Sequence, residues 1–430
     1  MNVKRMIPGL LVLLTAAGAL GGCISGSKEE NMVIDISTET LGPSVSLTFF
    51  GFKYEPLNVM AIEHSLHRFM DEYPEITISY DGIKSPEYFE VLDKRLSTGN
   101  GDDIFMTDHE HILELGRQGK LADLSDLSTL NNFSDLARSQ MSADGTVDYV
   151  PTSISAFGLY CNLDLLEEHG QKIPSSLPEF EKVCDYFVSR GITPIVANND
   201  ISLKTIAIGK SLLPTYQQFH PKSALDRFNS GQDHLAQTFV PGFQLVERMI
   251  KEGWVDSSEV LETVKTRDDL TLFAKGDRPF MLTGAWAVPR VRDLNPDMNF
   301  EVHPYPILDD GSVLVINVDT RISVNAASPH LKEAKKFVEY LTQNDSMWEF
   351  VNSQSSFSPL KENRLAEDPA IQSLGPYLNN GYSVIGSDDN LNCPIWEISR
   401  KCTHGMLNGD DALEASAHME ELIAKWTAAN

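Results

Sequence analysis

The chain has 430 residues and carries 61 Asp and Glu against 35 Lys and Arg, a formal net charge of −26. That balance excludes nucleic acid as a partner, because phosphates call for a basic surface. Once residues 1–44 are set aside as leader and tether, residues 45–430 remain, which is too long for one ordinary hydrophobic core, so two lobes are expected.

Lys4 and Arg5 make a short basic start, and Met6 to Leu20 continue without charge, rich in Leu, Val and Ala and interrupted by Pro8 and Gly9. About fifteen apolar residues suit the core of a signal peptide and fall short of a membrane span. Leu20-Gly21-Gly22-Cys23 follows and resembles the bacterial lipobox, whose cysteine is acylated and becomes the new N-terminus. Residues 1–22 are therefore expected to be a lipoprotein signal peptide, with an ordinary cleaved signal as the alternative. Residues 23–44 read as a lipid-anchored flexible tether, polar and without periodicity. No later stretch approaches about 20 apolar residues.

Val45 to Phe50 is a β-rich run ending at Gly51, and Ile62, Leu66, Phe69, Met70 and Tyr73 then recur at helical spacing. Ile76, Ile78 and Tyr80 alternate as in a strand. Ser85-Pro86 starts a helix that Gly99-Asn100-Gly101 stops, and Ile104-Phe105-Met106 is a short apolar strand running into Thr107-Asp108-His109. Alternating strands and helices imply a parallel sheet with helices on its faces, and such sheets bind ligands beyond the carboxyl ends of their strands.

A second α/β unit begins near Ser155. Phe180, Val183, Cys184, Phe187 and Val188 form a helical stripe ended by Gly191, and Ile192 to Val196 is a strand opening into Asn198-Asn199-Asp200. Residues 201–276 read as mainly helical. Phe280 to Leu282 is a short strand running into Thr283-Gly284-Ala285-Trp286, and Ile322 to Val324 is another. Ser328-Pro329 caps a helix whose apolar face is Leu331, Ala334, Phe337, Val338 and Leu341, and Ala412 to Ala424 is a last amphipathic helix. Cys161, Cys184, Cys393 and Cys402 form no CxxC pair, so no zinc or redox signature is present. A Cys393–Cys402 bridge stays open.

Four segments, in order, resemble the bacterial extracellular solute-binding proteins of the maltose-binding type: Gly145 to Gly170, Ile173 to Ile195, Phe273 to Val291 and Arg321 to Leu341. The likeness covers nearly the whole mature chain. It implies a two-lobed α/β fold of the periplasmic-binding-protein type II, with mixed sheets, flanking helices and a hinge, and with ligand closed between the lobes. By the same analogy, lobe one is 45–154 plus 301–345 and lobe two is 155–300 plus 346–430. The implied role is a receptor that delivers a carbohydrate to the permease subunits of an ABC importer, held at the outer face of the membrane through Cys23, monomeric and without cofactor.

A sugar ring offers one face of C–H groups and a rim of hydroxyls, so aromatic planes and polar groups together make a site. Trp286 matches the family's stacking tryptophan, with Gly284 beside it, and Trp396 resembles a second stacking position. Phe50 and Phe52 follow the first strand. Asp108 and His109 occupy a loop that commonly supplies an acid in this family, although Asp108 as a helix cap is the plainer reading. Ser155 stands at the crossover, Asn198 and Asp200 follow a strand, and Asp319 and Arg321 precede one; that pair also reads as a solvated salt bridge.

Three other functions compete. A secreted glycoside-active enzyme needs two positioned carboxylates, and no nucleophile elbow, HExxH or phosphate loop appears. His109-Glu110-His111 is too few ligands for a metal site. A non-sugar solute such as a polyamine, a polyol or its phosphate remains an alternative.

Overall fold

Three strands start the fold: β1 (Val45–Gly51), β2 (Ile76–Gly82) and β3 (Ile104–Thr107). β1 lies between the other two and pairs with both in parallel. The connecting helices Pro56–Glu72 and Glu87–Ser97 bury Ile62, Leu66 and Phe69, and Tyr88, Leu92 and Leu96, at the spacing that makes one apolar stripe. The computed structural model describes residues 45–84, 87–143, 145–362, 364 and 366–429. The leader, Cys23, the tether and the Ser85-Pro86 helix start lie outside the described residues.

A small hairpin, β4 (Ser142–Ala143) and β5 (Thr146–Val147), leads into β6 (Val150–Asn162), which is buried at every position. Then come β7 (Ile195–Val196), β8 (Phe280–Gly284), β9 (Phe300–His303), β10 (Tyr305–Leu308), β11 (Gly311–Val324) and β12 (Ser383–Ile385). The strand order is β2-β1-β3-β11-β6-β8-β7, with β9 paired to β6, and β10 and β12 paired to β11. One sheet therefore runs the length of the molecule. β6 and β11 are its shared central strands, antiparallel from Val150 opposite Ile322 to Phe157 opposite Val315.

The two long strands are buried at every position of β6 and all but Gly311 and Asp319 of β11, because each end sits in a different core. Val150, Val318, Ile322 and Val324 pack with Phe49, Phe69, Phe105 and Phe337. Phe157, Leu159, Val313 and Val315 pack with Phe180, Phe243, Trp254 and Met406. On the opposite face of that second part, Ala156, Tyr160, Leu314 and Ile316 pack with Phe273, Val288 and Ile371. Between the cores the strands turn polar. Thr152, Ser153, Ser155, Asn317, Thr320 and Arg321 are all buried there. Thr320 has φ 48°, the left-handed region, and is held by three hydrogen bonds: Thr152 Oγ1 donates to its carbonyl at 3.0 Å, Ser153 Oγ donates to its Oγ1 at 3.1 Å, and its N–H donates to Asp319 Oδ1 at 2.7 Å. Beside it, Arg321 pairs with Pro151, which has no N–H to donate.

These cores shift the lobe boundaries expected from sequence. Val302, Tyr305, Ile307 and Val313 pack on the second side, so the return to the first begins within β11 rather than at residue 301. Met347, Phe350, Val351 and Leu360 pack on the first side, beyond the expected limit at 345. The strand expected over Ile192–Val196 is only Ile195–Val196, and β9, β10 and the first half of β11 were not expected. The helix expected after Ser328-Pro329 runs Leu331–Leu341; Ser328 Oγ accepts from the His330 N–H at 3.0 Å and donates to Asp103 at 2.6 Å. Cys393 and Cys402 are both buried free thiols.

Candidate ligand-binding cleft

The strand ends of both halves open into one cleft of about 810 Å³. Its walls are the chain after β1 (Phe52 to Glu55, and Asn58), after β2 (Lys84) and after β3 (Asp108 to Glu110) on one side. Opposite stand residues 199–201 after β7, Trp286 after β8, 264–267, Arg290, Pro394, Trp396 and Glu397. The polar middle of β6 and β11 contributes Ser155, Asn317, Asp319 and Arg321, and Phe157 lies among them. This is where a sheet of this kind leaves backbone ends and side chains free for a ligand.

Two indoles flank one phenyl ring. Phe157 meets Trp286 edge-on at 5.2 Å and 86°, and Trp396 at 5.0 Å and 46°. Each indole rests on a glycine. A Cβ on Gly284 would stand 2.1–2.4 Å from carbons of the Trp286 ring, and one on Gly386 would stand 2.6 Å from Cζ3 of Trp396, closer than any side chain tolerates. Both glycines follow buried strand residues, Phe280 to Thr283 and Val384-Ile385. That strand-then-glycine pattern is the signal that could have found Gly386.

Of the residues expected at the site, Phe52, Asp108, His109, Ser155, Asp200, Trp286, Asp319, Arg321 and Trp396 line the cleft. Phe50, Asn198 and Gly284 do not. Phe50 is fully buried against Tyr88, with the Arg95 guanidinium 3.9 Å from its ring centre. Asn198 donates to Asp269 at 2.8 Å, and its Oδ1 accepts from the N–H groups of Asp200 and Ile201, so it builds the loop behind the wall. Gly284 acts beneath Trp286 and offers no contact of its own.

Several lining groups are already engaged by protein. Asp108 caps the helix His109–Arg117, accepting from the His111 N–H at 2.9 Å and its Nδ1 at 2.6 Å. His111 stacks on Phe89, and His109 turns the other way, its Nδ1 on Asp389 and its Nε2 3.1 Å from the Cys393 carbonyl, so the two imidazoles do not converge. Arg321 holds Asp389 with two hydrogen bonds of 3.0 Å, and Tyr149 donates to the same carboxylate. Burial works against ionisation of Asp389, yet Arg321 and then His109 and Tyr149 keep its carboxyl below the usual range. Ser155 donates to Asp319 Oδ2 at 3.0 Å.

Sequence reasoning missed Glu55 and Arg290, an ion pair of 3.7 Å that joins the loop after β1 to the helix Val288–Leu294 across the cleft. It also missed Asn317, which the unforeseen first half of β11 carries. The lining cations Lys53, Lys84, Lys265, Arg267, Arg290 and Arg321 are matched by Glu55, Asp108, Glu110, Asp200, Asp319 and Glu397. In a chain of net charge −26 the cleft is electrically balanced.

A family described as bacterial extracellular solute-binding protein matches residues 65–374. The multiple sugar-binding protein of Streptococcus mutans is 21% identical over 318 residues, 71% of this chain and 73% of that protein. The maltotriose-binding protein of Pyrococcus abyssi is 21% identical over 344 residues, 76% of this chain and 70% of that protein. Among solved structures, the solute-binding protein RafE in complex with raffinose superposes with a TM-score of 0.71 at 21% identity, covering 89% of this chain and 99% of that one. The apo form of RafE from Streptococcus pneumoniae gives 0.70 at 20% identity, covering 89% and 98%. The α/β architecture, with two long strands running between two cores, is thus the fold of these solved solute-binding proteins.

Proposed function

Because this chain belongs to the bacterial extracellular solute-binding proteins, we propose that it captures an oligosaccharide in the interlobe cleft and delivers it to the permease of an ABC importer. The observation that carries this reading is the pair of indoles seated on Gly284 and Gly386 in an electrically balanced, polar-rimmed cleft. Indole faces take the C–H face of a sugar, and the surrounding amide, carboxylate and hydroxyl groups take its rim. A polyamine would instead call for an excess of carboxylates. The lobes, 45–154 with 318–360 and 155–317 with 361–429, close on the ligand, which favours the closed state only by binding it more tightly. The chain acts as a receptor and catalyses no reaction.

The test is a thermal-shift screen with raffinose, stachyose and maltotriose, alongside spermidine and a polyol phosphate. A ligand at about 100 times its dissociation constant adds roughly 2.7 kcal/mol, which raises the melting temperature by several degrees at about 2–4 °C per kcal/mol. A shift with a sugar alone supports the proposal; a shift with spermidine alone overturns it. A second reading, a sugar or polyol bearing an anionic group, is favoured by Lys53 and Lys84, which follow β1 and β2 and line the cleft with no ion-paired carboxylate among the described residues. The polyol phosphate arm reports on it.

Membrane retention through an acylated Cys23 belongs to the same proposal. Cys23→Ser should move the protein from the membrane fraction of its host to the soluble fraction, because loss of the acyl chains removes about 0.8 kcal/mol of anchoring per buried CH₂. Unchanged membrane retention of that variant would remove the anchor from the account.

A further inference from the structure

Behind the cleft wall lies a lysine that ligand contact does not use. Lys204, on the helix Ser202–Tyr216, is 1% exposed. Its ammonium stands 2.6 Å from Asp200 Oδ1 and 4.1 Å from the centre of the Trp396 ring. An ammonium is costly to bury unless it is paired, so this one is kept by what it holds. Asp200 and Trp396 line the cleft, whereas Lys204 is covered by them.

We propose that Lys204 is a positioning residue, its ammonium clamped between Asp200 and Trp396 so that it fixes the pose of the carboxylate and the indole that the cleft presents to its ligand. The ligand class rests on the carbohydrate reading above; the clamp does not. Uncharging Lys204 removes the cation from the indole face and leaves Trp396 to Phe157 and the Gly386 backbone. It also leaves Asp200 to Lys265, a half-exposed side chain that draws the carboxylate toward solvent.

The charged groups facing Lys204 come from three elements. Asp200 precedes its own helix. Lys265, on the 264–267 loop, shares Asp200. Glu397, on the helix Ile395–Leu407, is held by Arg400 at 2.6 Å and by Lys401 at 3.7 Å. Burial pulls Lys204 down to about 8, with Asp200 opposing and Lys265 adding to the fall. An unfolded lysine titrates near 10.4. Between those values the unfolded chain binds the proton and the folded chain does not, so the contribution of Lys204 to folding stability rises with pH over that window. Its hold on Trp396 and Asp200 falls over the same window. Affinity and stability therefore move in opposite directions, which a merely structural lysine would not produce.

The experiment follows tryptophan emission of the full-length, ligand-free protein from pH 7 to 9.5, in wild type, Lys204→Arg, Lys204→Met and Trp396→Phe. The wild type should show a transition centred near pH 8 that all three variants lack. Raffinose affinity, measured in parallel, should fall about five- to tenfold between pH 7 and 9 in wild type and stay flat in Lys204→Arg. A wild-type emission that is constant from pH 7 to 9.5 and unchanged at pH 7 in Lys204→Met, or a transition that persists in Lys204→Met, overturns the proposal. The wild-type titration needs no variant to fold. Failure of raffinose to bind at any pH would count against the carbohydrate reading, while the emission arm still decides the clamp.

Discussion

Trp286→Ala should weaken oligosaccharide binding by about 30- to 1,000-fold, roughly 2–4 kcal/mol, the range seen when a central aromatic anchor is truncated. The ring it removes meets Phe157 edge-on in the cleft lining, and the surface beneath it, Gly284, offers no side chain in its place. Gly284→Ala provides the complementary test. It deletes nothing, but its new methyl occupies space within 2.4 Å of the indole, so the ring must move and affinity should fall about tenfold or more with Trp286 still present. Calorimetric titration with the sugar that stabilises the wild type reads both. Affinity within threefold of wild type in Trp286→Ala would sink the stacking assignment.

The largest effect on stability is expected at a residue that sequence suggested as a ligand contact. Arg321→Met should destabilise the protein by about 3–5 kcal/mol, because it strands the Asp389 carboxylate in a buried site. The double variant Arg321→Met/Asp389→Asn should recover much of that loss, since the stranded charge rather than the missing bond is the main cost. Urea unfolding curves measure both, and a double variant as unstable as the single one would disprove that account. The sign with pH follows from the lowered carboxyl of Asp389. Its contribution is present above the unfolded value near 3.9 and is lost as pH falls through the lower folded value. Acid should therefore erase the difference between wild type and Arg321→Met.

What was legible in the sequence was local. Period-2 alternation marked β2, and helical stripes marked Pro56–Glu72 and Leu331–Leu341, because each has one wet face. β10 and the first half of β11 are buried at nearly every position and so carry no such alternation, while β9 does alternate, Phe300 and Val302 against Glu301 and His303, but over only four residues; runs this short cannot be typed by period. The same limit displaced the lobe boundary. At the site, Trp286 was legible because it follows a short apolar strand, and Trp396, at the start of the helix Ile395–Leu407, was suggested only by resemblance. That His109 and Arg321 are engaged by protein was not legible, since the group that holds both, Asp389, lies 280 and 68 residues away along the chain. Phe50 and Phe52 were indistinguishable by residue type; both meet Tyr88 of the helix Glu87–Ser97, and what separates them is that Phe50 lies within β1, closed over by Arg95, while Phe52 lies past its end.

The shared strands set what kind of motion the molecule can make. Two adjacent strands gripped at both ends behave like a torsion bar: their ladder resists splaying and sliding but yields to twist. The bar is weakest where Pro151 withholds a hydrogen bond and Thr320 already sits in a left-handed turn held by side-chain hydroxyls and Asp319. If elastic strain from either end collects at that point, rotation there would carry both walls of the cleft as rigid plates. Closure, as proposed above, would then be a search along a single angle rather than through many independent joints, so little configurational entropy would be surrendered when a ligand brings the plates together. Asp319, beside Thr320 at that point, would then move least of all and serve as the fixed point from which both plates are measured.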